Sequence, residues 1–365
     1  MKYIKLKKIA TYPTGKLNSN AAEKDGIYPF FTCSHDIYRI NNYAYDGEYV
    51  LLGGNNATGD FPIFYYNGKF NAYQRTYLIQ PIDTNQFDTR YLFYSIGLKL
   101  KLMQSNAAGT ATRFLTQPIL DNINIEYRPL PIQQKIASIL SAYDNLIQNY
   151  KKQIEALQTA ASELYKEWFV RFRFPGYQTA RFENGIPEGW KVEKIGEYCN
   201  IRIGGDVPEE NSETKDEKHK YPIFSNGINE DGLYGFADTF KISEPSVTIS
   251  ARGTVGFVCL RREPYYPIVR LICLIPRKDL GVFYLYHSLE YADLDGNGTS
   301  QQQLTAPMVS KRKIVIAEEN LIEKFNLNAK IIYNKIDLLK IQITNLTQQR
   351  DLLLPRLMSG KLEVE

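Results

Sequence analysis

The chain has 365 residues, of which 44% are hydrophobic, and a formal net charge of only +4. That length exceeds one ordinary core and favours two domains, while the weak positive balance permits a nucleic-acid partner without requiring one. The four cysteines, Cys33, Cys199, Cys259 and Cys273, form no CxxC pair, and no run of 18 apolar residues exists, so zinc ribbon, disulfide framework, signal peptide and membrane span are not expected; reduced thiols in a cytoplasm are.

Strand-like runs rich in Tyr, Ile, Val and Phe come first, broken by Gly, Asn and Pro. They include Ile4-Lys5-Leu6-Lys7-Lys8-Ile9, Tyr28-Pro29-Phe30-Phe31, Tyr49-Val50-Leu51-Leu52 and Tyr77-Leu78-Ile79. Gly109-Thr110 and Leu115-Thr116-Gln117-Pro118 follow. From Pro131, a good first-turn residue, a long helix is predicted. Its large or apolar side chains fall at Ile136, Leu140, Tyr143, Ile147, Tyr150, Ile154, Leu157, Ala161, Leu164 and Trp168. Steps of four and three alternate throughout, which is a heptad seam.

The second half then repeats the first. Leu304-Thr305-Ala306-Pro307 matches Leu115-Thr116-Gln117-Pro118 at an offset of 304 − 115 = 189, and Gly298-Thr299 matches Gly109-Thr110 at the same offset. Tyr221-Pro222-Ile223-Phe224 lies 193 residues after its counterpart, and Trp190-Lys191-Val192-Glu193-Lys194-Ile195 resembles the opening run at an offset of 186. Small drifts between blocks are what loop insertions and deletions produce. Adding 189 to the first seam gives Phe325, Ala329, Ile332, Ile336, Leu339, Ile343, Leu346, Arg350, Leu353 and Leu357, apolar except for Arg350, whose stem can pack while its head reaches water. A helix of about 38 residues would be roughly 57 Å long. Two helices with one seam pattern in one chain are expected to pair antiparallel, relating the copies by a pseudo-two-fold axis.

The predicted fold class is therefore α+β, with two tandem α/β domains separated by two long antiparallel coiled-coil helices. The boundaries are residues 1–129 for the first domain, 130–172 for the first helix, 173–189 for a linker, 190–317 for the second domain, 318–358 for the second helix and 359–365 for a tail.

Two similar domains on a fixed rod suit duplex DNA, whose equivalent groove faces recur about every 34 Å. Residues 41–71 do not match residues 229–263, so the two copies would read different half-sites of a bipartite, asymmetric target. Arg and Lys suit guanine, and Asn and Gln suit adenine. Candidate DNA-binding residues in the first copy are Asn55, Asn56, Gln74, Arg75, Thr110 and Arg113. In the second they are Asn226, Arg252, Thr254, Arg270, Thr299, Gln301 and Gln302, with Gln303 beside them. Gly53-Gly54 and Gly253 would let backbone approach phosphates.

Leu130-Pro131-Ile132-Gln133-Gln134-Lys135-Ile136 with its seam resembles the central helix of Type I restriction-modification specificity subunits. Glu183-Asn184-Gly185-Ile186-Pro187-Glu188-Gly189-Trp190 is similar to the entry of their second recognition domain. Ile249-Ser250-Ala251-Arg252-Gly253-Thr254-Val255-Gly256 resembles a frequent segment of those domains, and Leu354-Pro355-Arg356-Leu357-Met358-Ser359-Gly360 resembles their C-terminal helix end. The resemblance implies a non-catalytic DNA-reading subunit that binds two methyltransferase subunits, with motor-nuclease subunits joining for restriction. It places S-adenosylmethionine in the methyltransferase, and ATP and magnesium in the motor, with adenine modified on each strand. The first copy departs from the pattern in lacking the Gly-Ile-Pro-x-Gly-Trp entry.

Catalytic motifs are missing from the sequence. Gly15-Lys16-Leu17, Gly68-Lys69-Phe70 and Gly360-Lys361-Leu362 lack the hydroxyl and upstream glycine of a phosphate loop. Asp293-Leu294-Asp295-Gly296-Asn297-Gly298 starts like a calcium loop but has Leu304 where a bidentate Glu is required. The alternative to a DNA-binding subunit is a protein-only scaffold built on an intramolecular coiled coil.

Overall fold

The computed structural model describes residues 2–56, 59–106, 114–277, 280–292 and 303–364. The chain divides into two compact units, residues 1–150 with 341–365, and residues 151–340. The division cuts both long helices. Packing thus assigns half of each helix to each unit, where the sequence set the helices apart as separate segments.

In chain order the first unit holds β1 (Tyr3–Lys5), β2 (Ala10–Thr11), β3 (Tyr28–Phe31), β4 (Tyr38–Ile40), β5 (Tyr45–Gly53), β6 (Ile63–Ala72), β7 (Thr76–Pro81), α1 (Thr89–Asn106), α2 (Gln117–Asp121), β8 (Asn124–Glu126) and the start of α3 (Leu130–Tyr165). A six-stranded sheet runs in the order β2-β7-β5-β6-β3-β4, and β1 pairs with β8. Along β5, Val50 and Leu52 pack toward Tyr91, Leu92 and Ile96 of α1. Leu51, between them, joins Phe31, Phe70 and Leu78 on the other face. This is the two-residue period of a strand buried on both sides.

The second unit continues with β9 (Phe182–Glu183), β10 (Ile186–Pro187), β11 (Lys191–Lys194), α4 (Ile195–Tyr198), β12 (Cys199–Ile203), β13 (Asn211–Ser212), β14 (Tyr221–Phe224), β15 (Leu233–Ala237), β16 (Ser246–Ile249), β17 (Val258–Arg261), β18 (Tyr266–Pro267), β19 (Ile272–Pro276), α5 (Val282–Tyr291), α6 (Ala306–Ser310), β20 (Lys313–Ile316) and α7 (Glu319–Met358), whose end belongs to the first unit. Its main sheets run β12-β19-β16-β17 and β13-β15-β14-β18. β17 is shorter than β6, and the short β18 takes over the parallel pairing with β14 that β6 makes with β3.

Backbone pairing sets the repeat residue by residue. Tyr3 faces Glu126, and Val192 faces Val315, each 189 residues later. Leu6 N donates to Ile123 O at 2.8 Å, and Ile195 N donates to Arg312 O at 2.9 Å, again at 189. The offset of 186 read from the opening runs is therefore corrected by three residues. Leu6 and Ile9 are both apolar residues that directly follow a Lys, three positions apart, so Ile195 matches either by sequence; only the partner strand selects the register. Deeper in each unit, the buried Tyr91 and Tyr284 hydroxyls reach Glu126 O at 2.9 Å and Val315 O at 2.7 Å.

Within the first unit, Ile136 and Leu140 of α3 share a buried cluster with Leu354, Leu357 and Met358 of α7. Further along α3, Asp144 meets Arg350, earlier on α7. Advancing on one helix means retreating on the other, so these stretches run antiparallel. Within the second unit, Ala161 and Tyr165 of α3 cluster with Phe325, Ala329 and Ile336 of α7. Phe325 is fully buried among the rings of Tyr165, Trp168, Phe169 and Tyr284. Of the other seam residues, Ile147 and Leu339 are buried, and Tyr143, Tyr150, Ile154, Leu157, Leu164, Ile332, Ile343, Leu346 and Leu353 are half-buried. Among the described residues no helix is long and apolar enough to cross a membrane.

Candidate nucleic-acid interface

In the first unit, β5 ends at Gly53 and the chain continues through Gly54 and Asn55 into a narrow gap between two other loops. On one side Gly54 N donates to Arg75 O at 2.8 Å; on the other Leu115 N donates to Gly54 O at 2.9 Å. Asn55 pairs in a single antiparallel bridge with Phe114. A side chain at position 54 would press to 2.9 Å against Arg75 O and the Tyr77 ring, so glycine is needed for this close approach. Gln74 and Arg75 are exposed on the turn between β6 and β7, while Asn55 and Asn56 are half-buried. Phe114 is 53% exposed, a large apolar ring left in solvent beside Asn55. Cys33 lies underneath, its Sγ 3.5 Å from Arg75 O. Burial pushes the Cys33 thiol up, against the opposing pull of the Asn55 and Gly54 N–H groups.

The second unit builds the same crossing with different side chains. Beyond β16, Leu304 N donates to Ala251 O at 2.9 Å, as Leu115 does to Gly54. Leu52 pairs with Tyr77, and Ile249 pairs with Ile272. This makes Asn55 the counterpart of Arg252, an offset of 197, and Arg75 the counterpart of Arg270, an offset of 195. Phe114 corresponds to Gln303 at 189. Arg252 is exposed, and its Nη2 donates to Gln303 Oε1 at 3.0 Å.

Asn226 stands where the first unit has Cys33. Its Oδ1 accepts from Ala251 N at 2.7 Å and its Nδ2 donates to Val269 O at 2.6 Å. Both ends of this amide are thus used to clasp two loops, so Asn226 positions the crossing. Val269 and Arg270 adopt φ values of 53° and 62°. Left-handed backbone is strained for a β-branched valine and persists only where surroundings hold it. Here Val269 N donates to Gly205 O at 2.8 Å and Arg270 N to Gly204 O at 3.0 Å. The outcome is an exposed Arg270 side chain on a pinned turn. Thr254 has a buried hydroxyl with no hydrogen-bond partner among the described residues.

The structure therefore brings together Asn55, Asn56, Gln74 and Arg75 in one unit, and Asn226, Arg252, Thr254 and Arg270 in the other. Thr110, Arg113, Thr299, Gln301 and Gln302 lie outside the described residues, as does the calcium-like segment 293–298. Phe114 was missed by sequence reasoning, although the 189 offset from Gln303 points to it. None of the four cysteines is joined in a disulfide among the described residues.

Comparison with known proteins decides the family. The chain matches the Type I restriction modification DNA specificity domain over residues 1–159 and again over residues 187–349. It belongs to that family. A Mycoplasma pneumoniae protein provisionally named a type I specificity subunit, S.MpnORF507P, is 29% identical over 296 residues, covering 80% of this chain and 77% of that one. The specificity subunit of the MjaIX Type I restriction enzyme of Methanocaldococcus jannaschii is 26% identical over 304 residues, 76% of this chain and 70% of that one. The crystal structure of a Type I restriction-modification S subunit from M. genitalium superposes with a TM-score of 0.62 at 17% identity, covering 98% of this chain and 95% of that chain. That likeness shows the fold. The chain is accordingly a Type I specificity subunit with two specificity domains, and the two loop crossings described above fall one in each domain.

Proposed function

We propose that this chain reads a bipartite, asymmetric sequence in duplex DNA, one half-site through each specificity domain, and docks methyltransferase and motor-nuclease subunits without a catalytic centre of its own. S-adenosylmethionine then belongs to the methyltransferase subunits, and ATP and magnesium to the motor subunits. One observation carries this reading: both domains bring three loops together at equivalent positions, by the shared Leu115–Gly54 and Leu304–Ala251 backbone bonds and by Gly54 N to Arg75 O in one domain or the Asn226 amide in the other, yet place different polar side chains on them. A shared scaffold with divergent donors is what separate reading of two short sequences needs, because groove edges are told apart by donor and acceptor pattern. The exposed arginines at equivalent positions, Arg75 and Arg270, supply charge for the phosphates that flank any sequence.

The test is duplex binding by the chain assembled with its methyltransferase partner. The expected result is preference for one two-part motif over scrambled duplex, with affinity falling steeply as salt rises. Binding that ignores both sequence and salt would overturn the proposal and favour a protein-only scaffold.

A further inference from the structure

Each domain sets two residues opposite each other at the crossing: Asn55 with Phe114 in the first, Arg252 with Gln303 in the second. Asn55 and Phe114 are opposed in an antiparallel bridge, whose residues point to the same side with Cβ atoms about 5 Å apart, and the Arg252–Gln303 side chains are brought together by their own hydrogen bond. A pair of side chains thus faces outward together in each domain. Next to each pair stands an arginine that is the same in both domains, Arg75 or Arg270.

We infer that the opposed pair is the base-reading element of each domain, that Asn55 with Phe114 reads an A·T pair, and that Arg252 with Gln303 reads a guanine. The inference rests on the DNA-reading role proposed above. What is identical in the two domains serves what is identical in all DNA, the phosphate backbone; what differs serves sequence. The chemistry of each pair then names the base. An Asn amide matches N6 and N7 of adenine, and an apolar ring matches the C5-methyl of the thymine across the same base pair. The 53% exposure of Phe114 leaves that ring open to such a contact. A guanidinium matches O6 and N7 of guanine. Gln303 accepts one of its five N–H donors and, among the described residues, leaves the rest of the fork free, held in direction before DNA arrives. Beneath the pair, Asn226 ties the Ala251 backbone to the Val269 backbone, so the Arg252 loop and the Arg270 turn are held as one piece.

The experiment exchanges the pairs in the full chain, co-expressed with its methyltransferase partner, and maps methylated sites across a host genome. In the double variant Asn55→Arg, Phe114→Gln, one A·T position of one half-site should shift toward G·C by roughly ten- to hundredfold, with the other half-site unchanged. Arg252→Asn with Gln303→Phe should do the reverse in the other half. Arg75→Ala and Arg270→Ala should weaken binding and flatten its salt dependence while leaving the motif intact. An unaltered motif in both exchange variants overturns the assignment. If an exchange variant does not assemble, Phe114→Ala alone decides for the first domain and Gln303→Ala for the second. Reduced discrimination at one position supports the inference, and unchanged discrimination refutes it. Absence of any two-part motif with the unmodified chain would instead refute the DNA-reading role itself.

Discussion

Arg350 on α7 donates through Nη1 to Asp144 Oδ1 on α3 at 2.6 Å, at the one position where the repeated seam is charged. The Tyr94 hydroxyl of α1 donates to the other oxygen of the same carboxylate. The break in the seam is thus filled by a charged group with a matched partner, and both side chains are about a quarter exposed, at 25% and 29%. Charge-assisted hydrogen bonds of this kind are stronger than neutral ones, and partial burial limits screening.

Arg350→Ala should therefore lower stability by about 1–2 kcal/mol. The shift in the denaturant midpoint checks it, with the slope unchanged. An unmoved midpoint would mean that solvated ions do equally well.

Phe325→Ala should be the costlier helix substitution. The ring is fully buried among four aromatic rings, and large-to-small changes at such sites cost about 3–5 kcal/mol. Leu346, on the same seam, is half-buried, and Leu346→Ala should cost no more than about 1–2 kcal/mol. Thermal unfolding of the two variants ranks them, and equal losses would contradict the packing described.

Gly15 and Gly204 occupy equivalent positions 189 residues apart. A Cβ at Gly15 would lie 2.3 Å from Ala72 O, and one at Gly204 would lie 2.7 Å from Ile268 O. Backbone oxygens held in a sheet connection do not move aside cheaply, so either Gly→Ala change should cost about 1–3 kcal/mol. At Gly205 the nearest atom is the mobile Lys241 Nζ at 3.3 Å, and Gly205→Ala should fall within about 0.5 kcal/mol of the parent. Parallel denaturation curves for the three variants test the contrast.

Asp216 offers a pH test. Its carboxylate accepts from the backbone N–H groups of His219 and Lys218 and pairs with His219 Nδ1. The bonds to His219 lead in holding it down at about 2, against an ordinary 3.8. A depressed carboxylate favours the folded loop above its unfolded value. That preference is complete above about pH 4 and fades as pH falls from there through about 2. Carboxyl carbon shifts in a pH titration should show a midpoint near 2, and a midpoint near 3.8 would remove the turn as described.

Much of the organisation was legible in the residues alone. The 189-residue period reappears in the pairing of β1 with β8 and of β11 with β20. The two long helices begin at Leu130 and Glu319. Residues 41–71 and 229–263 show no sequence match, yet β5 and β16 lie within them and hold equivalent places, β5 between β7 and β6 and β16 between β19 and β17.

What the sequence determined by itself was the duplication, the two amphipathic helices and the family of loops that could carry donors. What the tertiary structure alone decided was which loop residues are equivalent: Asn55 with Arg252, Arg75 with Arg270, and the three-residue correction at the first strand. The physical reason is that these matches are made by backbone N–H and C=O groups. Every residue type except proline, which lacks the N–H, carries the same ones, so strand pairing can persist through loop insertions while every outward side chain changes.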